Sequence, residues 1–449
     1  MSLCACPVTS QVSADADGDR LQCGAMKRAI TLLALLVTVH VGAAAPSGTA
    51  TAEGSGRHID RILAEVPLID GHNDLPWEYR DRVKNHLAQL DIGQDQSHLA
   101  KPLHTDIARL RQGRIGAQFW SVYVPVELKG ADAVLTTMEQ IDVVHRLAAT
   151  YPDVFELAYT ADDITRIHKS GKIASLIGME GGHSIDNSLA ALREFYRAGA
   201  RYMTITHTAS TAWADSESGA PLHNGLTPFG KIVIGEMNRL GMLVDLSHVS
   251  PKTMQDVLDV SLAPVIFSHS STRALVDHPR NVPDDVLQRL KDLDGVVMVS
   301  FVPSFDSDKA RLHSADQSAE EARLKDLLRG DPQKVKEALA KWNAANPGPR
   351  ATIADVADHI EHVMNVAGVD HVGIGGDFDG ITSTPAGLES VADYPKLFEE
   401  LIRRGHSDDD LKKLAGLNVL RVMKKAEAVA ARLQKERPPA DALIGEVDK

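Results

Sequence analysis

The chain has 449 residues, of which 43% are hydrophobic, 24% charged and 4% aromatic, with a formal net charge of −13. That composition excludes a fibre, a coiled coil or a disordered tail, and an acidic chain without a basic cluster is poorly suited to nucleic acid or to an anionic membrane surface. Its three cysteines, Cys4, Cys6 and Cys23, all lie in the first 23 residues, so the rest of the chain has neither an internal disulfide nor a thiolate metal site.

Met26 to Ala45 reads as a secretory leader: Lys27 and Arg28, an apolar run from Ile30 to Val41, then small residues from Gly42. The run is too short for a comfortable membrane span. Residues 1–45 are therefore expected to be a leader, with Met26 as the natural start, and 46–449 an exported soluble protein, periplasmic or secreted. The polar C-terminal end, Ala442–Lys449, argues against a lipid-anchor signal, and no stable membrane anchor is expected.

Eight short apolar, β-branched segments follow: Val66–Asp70, Ala117–Val122, Ala174–Met179, Tyr202–Thr206, Met242–Leu246, Val265–Ser268, Val296–Phe301 and Val372–Gly375. Amphipathic stretches such as Asp132–Thr150, Ser188–Ala198, Gly230–Leu240, Pro251–Ser261 and Pro283–Lys291 separate them. Continuous apolar strands alternating with helices signal a parallel sheet covered on both faces. Strand count and length favour a closed (β/α)8 TIM barrel over a doubly wound open sheet. The charged, helix-prone stretch 306–350 interrupts the rhythm and reads as an inserted helical segment, a cap or a surface spacer; Tyr394–Glu436 reads as C-terminal helices.

Polar residues gather where the strands end. Asp70-Gly71-His72-Asn73-Asp74 closes the first segment, Glu180 the third, His207 the fourth, His248 the fifth, His269 the sixth and Asp377 the eighth. In a barrel these ends converge on one mouth. Each residue alone has a plainer reading, a hydrogen-bonded histidine or a helix N-cap, and His183, His58, His104, His278, His359 and His362 keep it. Imidazoles and carboxylates without thiolate suit zinc, with manganese, cobalt or iron as substitutes. Three histidines and two carboxylates exceed one tetrahedral catalytic site but serve two ions if Glu180 bridges them, an arrangement suited to hydrolysis through a shared hydroxide. Asp377 is a candidate proton carrier. Arg280, eleven residues beyond His269, is a candidate anion clamp.

These stretches resemble the membrane dipeptidase (renal dipeptidase) family, peptidase family M19, of the metal-dependent amidohydrolases. The resemblance rests on LIDGHNDLPW at 68–77, GAQFWSVYVP at 116–125, MEGGHSID at 179–186, TITHTASTAWADS at 204–216, GLTPFGKIVIGEMNRLGMLVDLSHVS at 225–250, APVIFSHSS at 263–271, RNVPDDVL at 280–287 and VGIGGDFDG at 372–380. It implies a (β/α)8 barrel with two zinc ions per subunit, bridged by Glu180 and a hydroxide. His72 and Asp74 would hold one ion and His248 and His269 the other. His207 would contact the scissile carbonyl oxygen, Arg280 the substrate carboxylate, and Asp377 would shuttle the proton. Dipeptides, L-L and L-D, would be the substrates, and a homodimer the assembly. A related amidohydrolase acting on N-acyl amino acids, lactones or β-lactams is the alternative within enzymes. An exported metal- or ligand-binding protein without turnover is the alternative outside them. Mammalian members of the family carry disulfides and a lipid anchor, which this sequence does not offer.

Overall fold

The computed structural model describes residues 52–448; the expected leader and the start at Met26 lie outside them. Nine strands occur among the described residues: β1 Leu68–Asn73, β2 Ile115–Tyr123, β3 Phe155–Leu157, β4 Ile173–Glu180, β5 Ala200–Thr204, β6 Leu243–Asp245, β7 Val265–Phe267, β8 Val296–Val299 and β9 Val372–Ile374. Eight of them run in the order β2-β1-β9-β8-β7-β6-β5-β4, and β4 pairs back on β2 from Ala117↔Ala174 to Tyr123↔Glu180, closing the ring. Every strand pairing is parallel. The fold is a (β/α)8 barrel, as expected.

The ninth strand, β3, has no counterpart among the eight predicted segments. It pairs Phe155–Leu157 with Ile173–Ser175 at the start of β4, before β5 takes over further along. Three residues cannot display an alternation or an apolar run, so sequence pattern carries no signal for it.

Helices start and stop on local chemistry. Thr227 caps Pro228–Leu240, accepting from the Gly230 N–H; Pro228 presets the first turn, and Gly241 at φ 85° ends it. Ser250 and Pro251 do the same for Pro251–Val260. The stretch between β8 and β9 folds as Pro303–Asp306, Asp308–Leu327 and Pro332–Ala345, followed by Ile353–Val366. Asp308–Leu327 and Pro332–Ala345 bury only Ala310, Leu324 and Val335 and brace each other through Gln317–Asn343 (2.9 Å) and stacked His313–Trp342 rings. At the C-terminal end, Tyr394–Arg404 and Asn418–Glu436 are helical. The second of these buries Val419, Val422 and Met423 in a cluster with Ile69, Phe119, Tyr202 and Met298 from the barrel.

One close approach inside the barrel wall bears on function. A Cβ on Gly178 would lie 2.0 Å from the Tyr202 ring. Gly178→Ala must therefore push Tyr202 away, and overpacking of this kind costs about 1–3 kcal/mol. The expected result is a lower thermal midpoint and a displaced His72 ring, whose Nδ1 lies 2.9 Å from the Tyr202 hydroxyl; calorimetry and a crystal structure of the variant check both.

Candidate metal centre

Residues at six strand ends converge. Asp74 follows β1, Glu180 ends β4, His207 lies three residues past β5, His248 three past β6, His269 two past β7 and Asp377 three past β9. His72 projects from β1 itself. Their ligand atoms form three overlapping groups, His72–Glu180–His269, Glu180–His207–His248 and His72–Asp74–Asp377, with the atoms of each group within 4.8 Å of one another.

Glu180 sits between them with its two oxygens turned to different partners. Oε2 lies 3.5 Å from His72 Nε2 and accepts from the Ser121 hydroxyl at 3.1 Å. Oε1 lies 3.1 Å from His248 Nε2 and 3.6 Å from the Nε2 atoms of His207 and His269. His72 Nε2 is in turn 3.3 Å from Asp74 Oδ2 and 4.0 Å from Asp377 Oδ1.

The imidazoles are held from behind, which decides which nitrogen faces the centre. Tyr202 donates its hydroxyl to the Gly71 carbonyl (3.2 Å), so its oxygen accepts from His72 Nδ1–H (2.9 Å). Asp245 accepts from the Ser268 hydroxyl (2.6 Å), whose oxygen then accepts from His269 Nδ1–H (2.8 Å). In both rings it is then Nε2 that faces the centre, where His269 Nε2 lies 3.0 Å from His248 Nε2. His72 Nε2 is buried with no hydrogen-bond partner. An orphaned, inward-facing imidazole nitrogen beside two carboxylates fits a cation, and outer partners of this kind are what orient histidine ligands.

The histidines differ electrostatically. Burial pulls His72 down, but Tyr202, Asp74 and Glu180 outweigh it and lift its imidazole well above the usual range, so its Nε2 favours a positive charge, its own proton or a cation. Burial, then the Arg280 and His207 charges, hold His248 well below the usual imidazole range; burial, His72 and Arg280 do so for His269. Both are neutral donors. Burial alone would raise Glu180, but the positive character of His72 and His207 and hydrogen bonds from His248 and His72 bring its pKa well below the ordinary value. Asp377 goes the other way: burial dominates, and Asp74 and Glu180 add to it against His72 and Arg280. Two carboxylates in one site are driven apart, one kept charged and one inclined to carry a proton.

The backbone is also unusual here. His248, Asp377 and Asp379 have φ of 68°, 59° and 65°. Asp377 is fixed there by its N–H donating to the His72 carbonyl at 3.1 Å.

A cavity of about 490 Å³ opens onto the centre, lined by Asp74, Glu180, His207, His248, His269 and Asp377. Arg280 forms part of the same lining. It is buried, with Nη1 donating to Ser270 Oγ and Nη2 to the His269 carbonyl, both at 3.2 Å, and its guanidinium 5.2 Å from the Phe305 ring centre. Seven of the eight residues singled out from the sequence therefore line one cavity, and His72, fully buried, stands behind it against Asp74 and Glu180. Phe305, from the start of the inserted helices, joins them. Of the histidines read as structural, His183 donates its Nε2–H to the Val124 carbonyl (3.1 Å), and His359 bonds Thr272. His104 also lines the cavity, locked to Asp379: its N–H donates to Asp379 Oδ1 (2.6 Å) and its Nδ1 accepts from the Asp379 N–H (2.9 Å). Tyr202, Asp245 and Ser121 escaped sequence reading because their contacts span 23 to 130 residues and follow no spacing, and Ser268, though next to His269, because its role depends on Asp245.

A closed parallel barrel with imidazoles and carboxylates converging at its C-terminal strand ends defines a metal-dependent hydrolase of the barrel type. The chain belongs to the membrane dipeptidase family, peptidase family M19, whose profile matches residues 56–437. It is 41% identical over 385 residues to Dipeptidase verJ of Clonostachys rogersoniana, covering 83% of this chain and 88% of that protein. It is 44% identical over 371 residues to Dipeptidase tcpJ of Claviceps purpurea (strain 20.1), covering 81% and 77%. Among solved structures, the probable dipeptidase PvdM from Pseudomonas aeruginosa shares the fold with a TM-score of 0.71 at 24% identity, over 85% of this chain and 100% of that one. A metallo peptidase from Rhodobacter sphaeroides, solved with a phosphinate mimic of the dipeptide L-Ala-D-Ala, shares it at 0.65 and 22% identity, over 81% and 99%.

Proposed function

We propose that this chain hydrolyses the peptide bond of dipeptides, L-L and L-D, with two zinc ions bound at the barrel mouth. The observation that carries the reading is the division of Glu180: one carboxylate oxygen faces His72, the other His248 and His269. His72 and Asp74 would hold one ion, His248 and His269 the other, with Glu180 common to both. When bound, such a pair supplies a Lewis acid for the carbonyl and lowers the pKa of water to near neutrality.

The protein's own groups do the rest. His207, with its Nε2 directed to the same centre, is set to donate to the carbonyl oxygen as charge develops there. Asp377 takes the proton released as water attacks and passes it to the leaving amine. Arg280 holds the free C-terminal carboxylate, for which a planar guanidinium is the matching group. The lining also carries Asp81, Asp379 and Glu78, the last paired with Arg82 and with Lys101 (3.4 Å). The relatives named as dipeptidases and the phosphinate bound in the Rhodobacter enzyme support this substrate class.

The decisive experiment is cleavage of L-Ala-L-Ala and L-Ala-D-Ala by metal-analysed protein. Dialysis against a chelator is expected to abolish turnover and zinc to restore it; full activity after thorough chelation would sink the reading. Arg280→Ala is expected to raise KM for dipeptides roughly 10- to 100-fold, the loss of a charge-assisted bond of about 1.5–3 kcal/mol. A neutral lactone substrate should be unaffected by it.

Export through the N-terminal leader and assembly as a homodimer complete the proposal. The leader's order of charged, apolar and small residues supports the first, and membership of the family the second. Among the described residues no helix is long and apolar enough to cross a membrane. N-terminal sequencing of exported protein and sedimentation of the purified enzyme test the two; a retained leader, or a monomer at working concentration, would overturn them.

A further inference from the structure

The His248 ring differs from its two neighbours. Its Nε2 faces Glu180, yet its buried Nδ1 has no hydrogen-bond partner. The group opposite it is the Glu217 carboxylate, with Oε1 3.8 Å from His248 Nδ1. The same oxygen is 3.8 Å from Arg280 Nε. The Glu217 side chain is 2% exposed, and among the described residues it has no other ion-pair partner than these two. It is steadied by the Ser216 and Ser218 hydroxyls, which donate to Oε2 (3.0 Å) and Oε1 (3.1 Å).

The segment carrying Glu217 is also fastened to the His248 turn. The Glu217 N–H donates to the His248 carbonyl at 3.1 Å, and Ser216 bridges Val249. The Thr206 hydroxyl donates to that same His248 carbonyl at 2.8 Å. A residue held at φ 68° needs such surroundings to keep its conformation.

We propose that Glu217 is a positioning residue that ties the metal site to the anion clamp. One carboxylate oxygen faces both His248 Nδ1 and Arg280 Nε at 3.8 Å, favouring the tautomer with the proton on Nδ1 that leaves Nε2 free for a cation, and holding the guanidinium by charge. It is the third anchor of a guanidinium whose other two are Ser270 and the His269 carbonyl. This completes a series: Tyr202 behind His72, Ser268 and Asp245 behind His269, Glu217 behind His248. Burying a carboxylate is costly unless the donors facing it engage its charge. The part concerning Arg280 rests on the dipeptidase reading; the part concerning His248 does not.

The test compares the full-length enzyme with Glu217→Ala, Glu217→Gln and Glu217→Asp in two measurements. Zinc affinity is read by competition with a chromophoric chelator, and KM and kcat on L-Ala-D-Ala. Removing an outer partner of a metal-bound histidine typically costs 10- to 100-fold in affinity, and that loss is expected for Glu217→Ala, with KM raised several-fold and kcat changed less. Glu217→Gln keeps an oxygen acceptor and is expected to recover most of the zinc affinity. Glu217→Asp withdraws the oxygen and should fall between; it carries the test if the alanine variant does not fold. Parental zinc affinity in Glu217→Ala or Glu217→Asp overturns the proposal, as does a glutamine variant as weak as the alanine one. If the parent binds zinc but cleaves no dipeptide, the dipeptidase reading fails while the affinity series still decides the role of Glu217.

Discussion

Asp377→Asn is expected to lower kcat on dipeptides by roughly 10²- to 10⁴-fold, the range that positioned proton transfer contributes, with both metal ions retained and KM little altered. The substitution is nearly isosteric, so it keeps the N–H donated to the His72 carbonyl and removes only the ability to exchange a proton. The structural case for this residue is its double character. It lies 4.0 Å from His72 Nε2, close enough to belong to a ligand group, yet its environment pushes its carboxyl towards the protonated form while Glu180 is pushed the other way. Steady-state kinetics alongside metal analysis separate the two roles. Loss of one ion in Asp377→Asn would make the residue a ligand, and unchanged kcat would remove it from the chemistry altogether.

Glu180→Gln attacks the centre itself. Four imidazoles, His72, His207, His248 and His269, have Nε2 atoms between 3.1 and 3.6 Å from its carboxylate. The amide would present one oxygen and one N–H donor, so one side of the pair loses its ligand and meets a hydrogen instead. We expect at least one ion to be lost and metal affinity to fall by more than the 10- to 100-fold that an outer partner is worth, with turnover reduced to background. Metal stoichiometry after gel filtration is the direct measurement. Two tightly held ions in this variant would mean that Glu180 does not bridge.

Much of this site was legible in the chain because barrels put chemistry where strands end. Asp70 to Asp74, Glu180, His207, His248, His269 and Asp377 each interrupt or follow an apolar run, and a parallel barrel carries all such positions to one mouth. The strands themselves were readable because both faces are buried and the apolar runs are continuous. What stayed hidden depends on contacts rather than pattern. Tyr202 looks like any aromatic strand residue until the fold brings it to His72, 130 positions away. Asp245 was a weak clue, a carboxylate ending a buried strand, but only the structure shows its four acceptor contacts to Thr204, Ser247 and Ser268. Asp379 and His104 form a similar pair, 275 residues apart. The inserted stretch 306–350 was recognisable as helical from composition, whereas the entry of Phe305 into the cavity was not.

The left-handed backbone at His248 has a consequence for how such a protein can change. A β-carbon in that conformation costs roughly 1–2 kcal/mol relative to glycine, so a variant His248→Gly should melt above His248→Ala. The backbone alone favours glycine at this position, while the buried imidazole, through its packing and the cation it would hold, opposes it. The enzyme thus carries a built-in trade-off between backbone ease and what the side chain supplies, located at one residue, its backbone half readable in two melting curves.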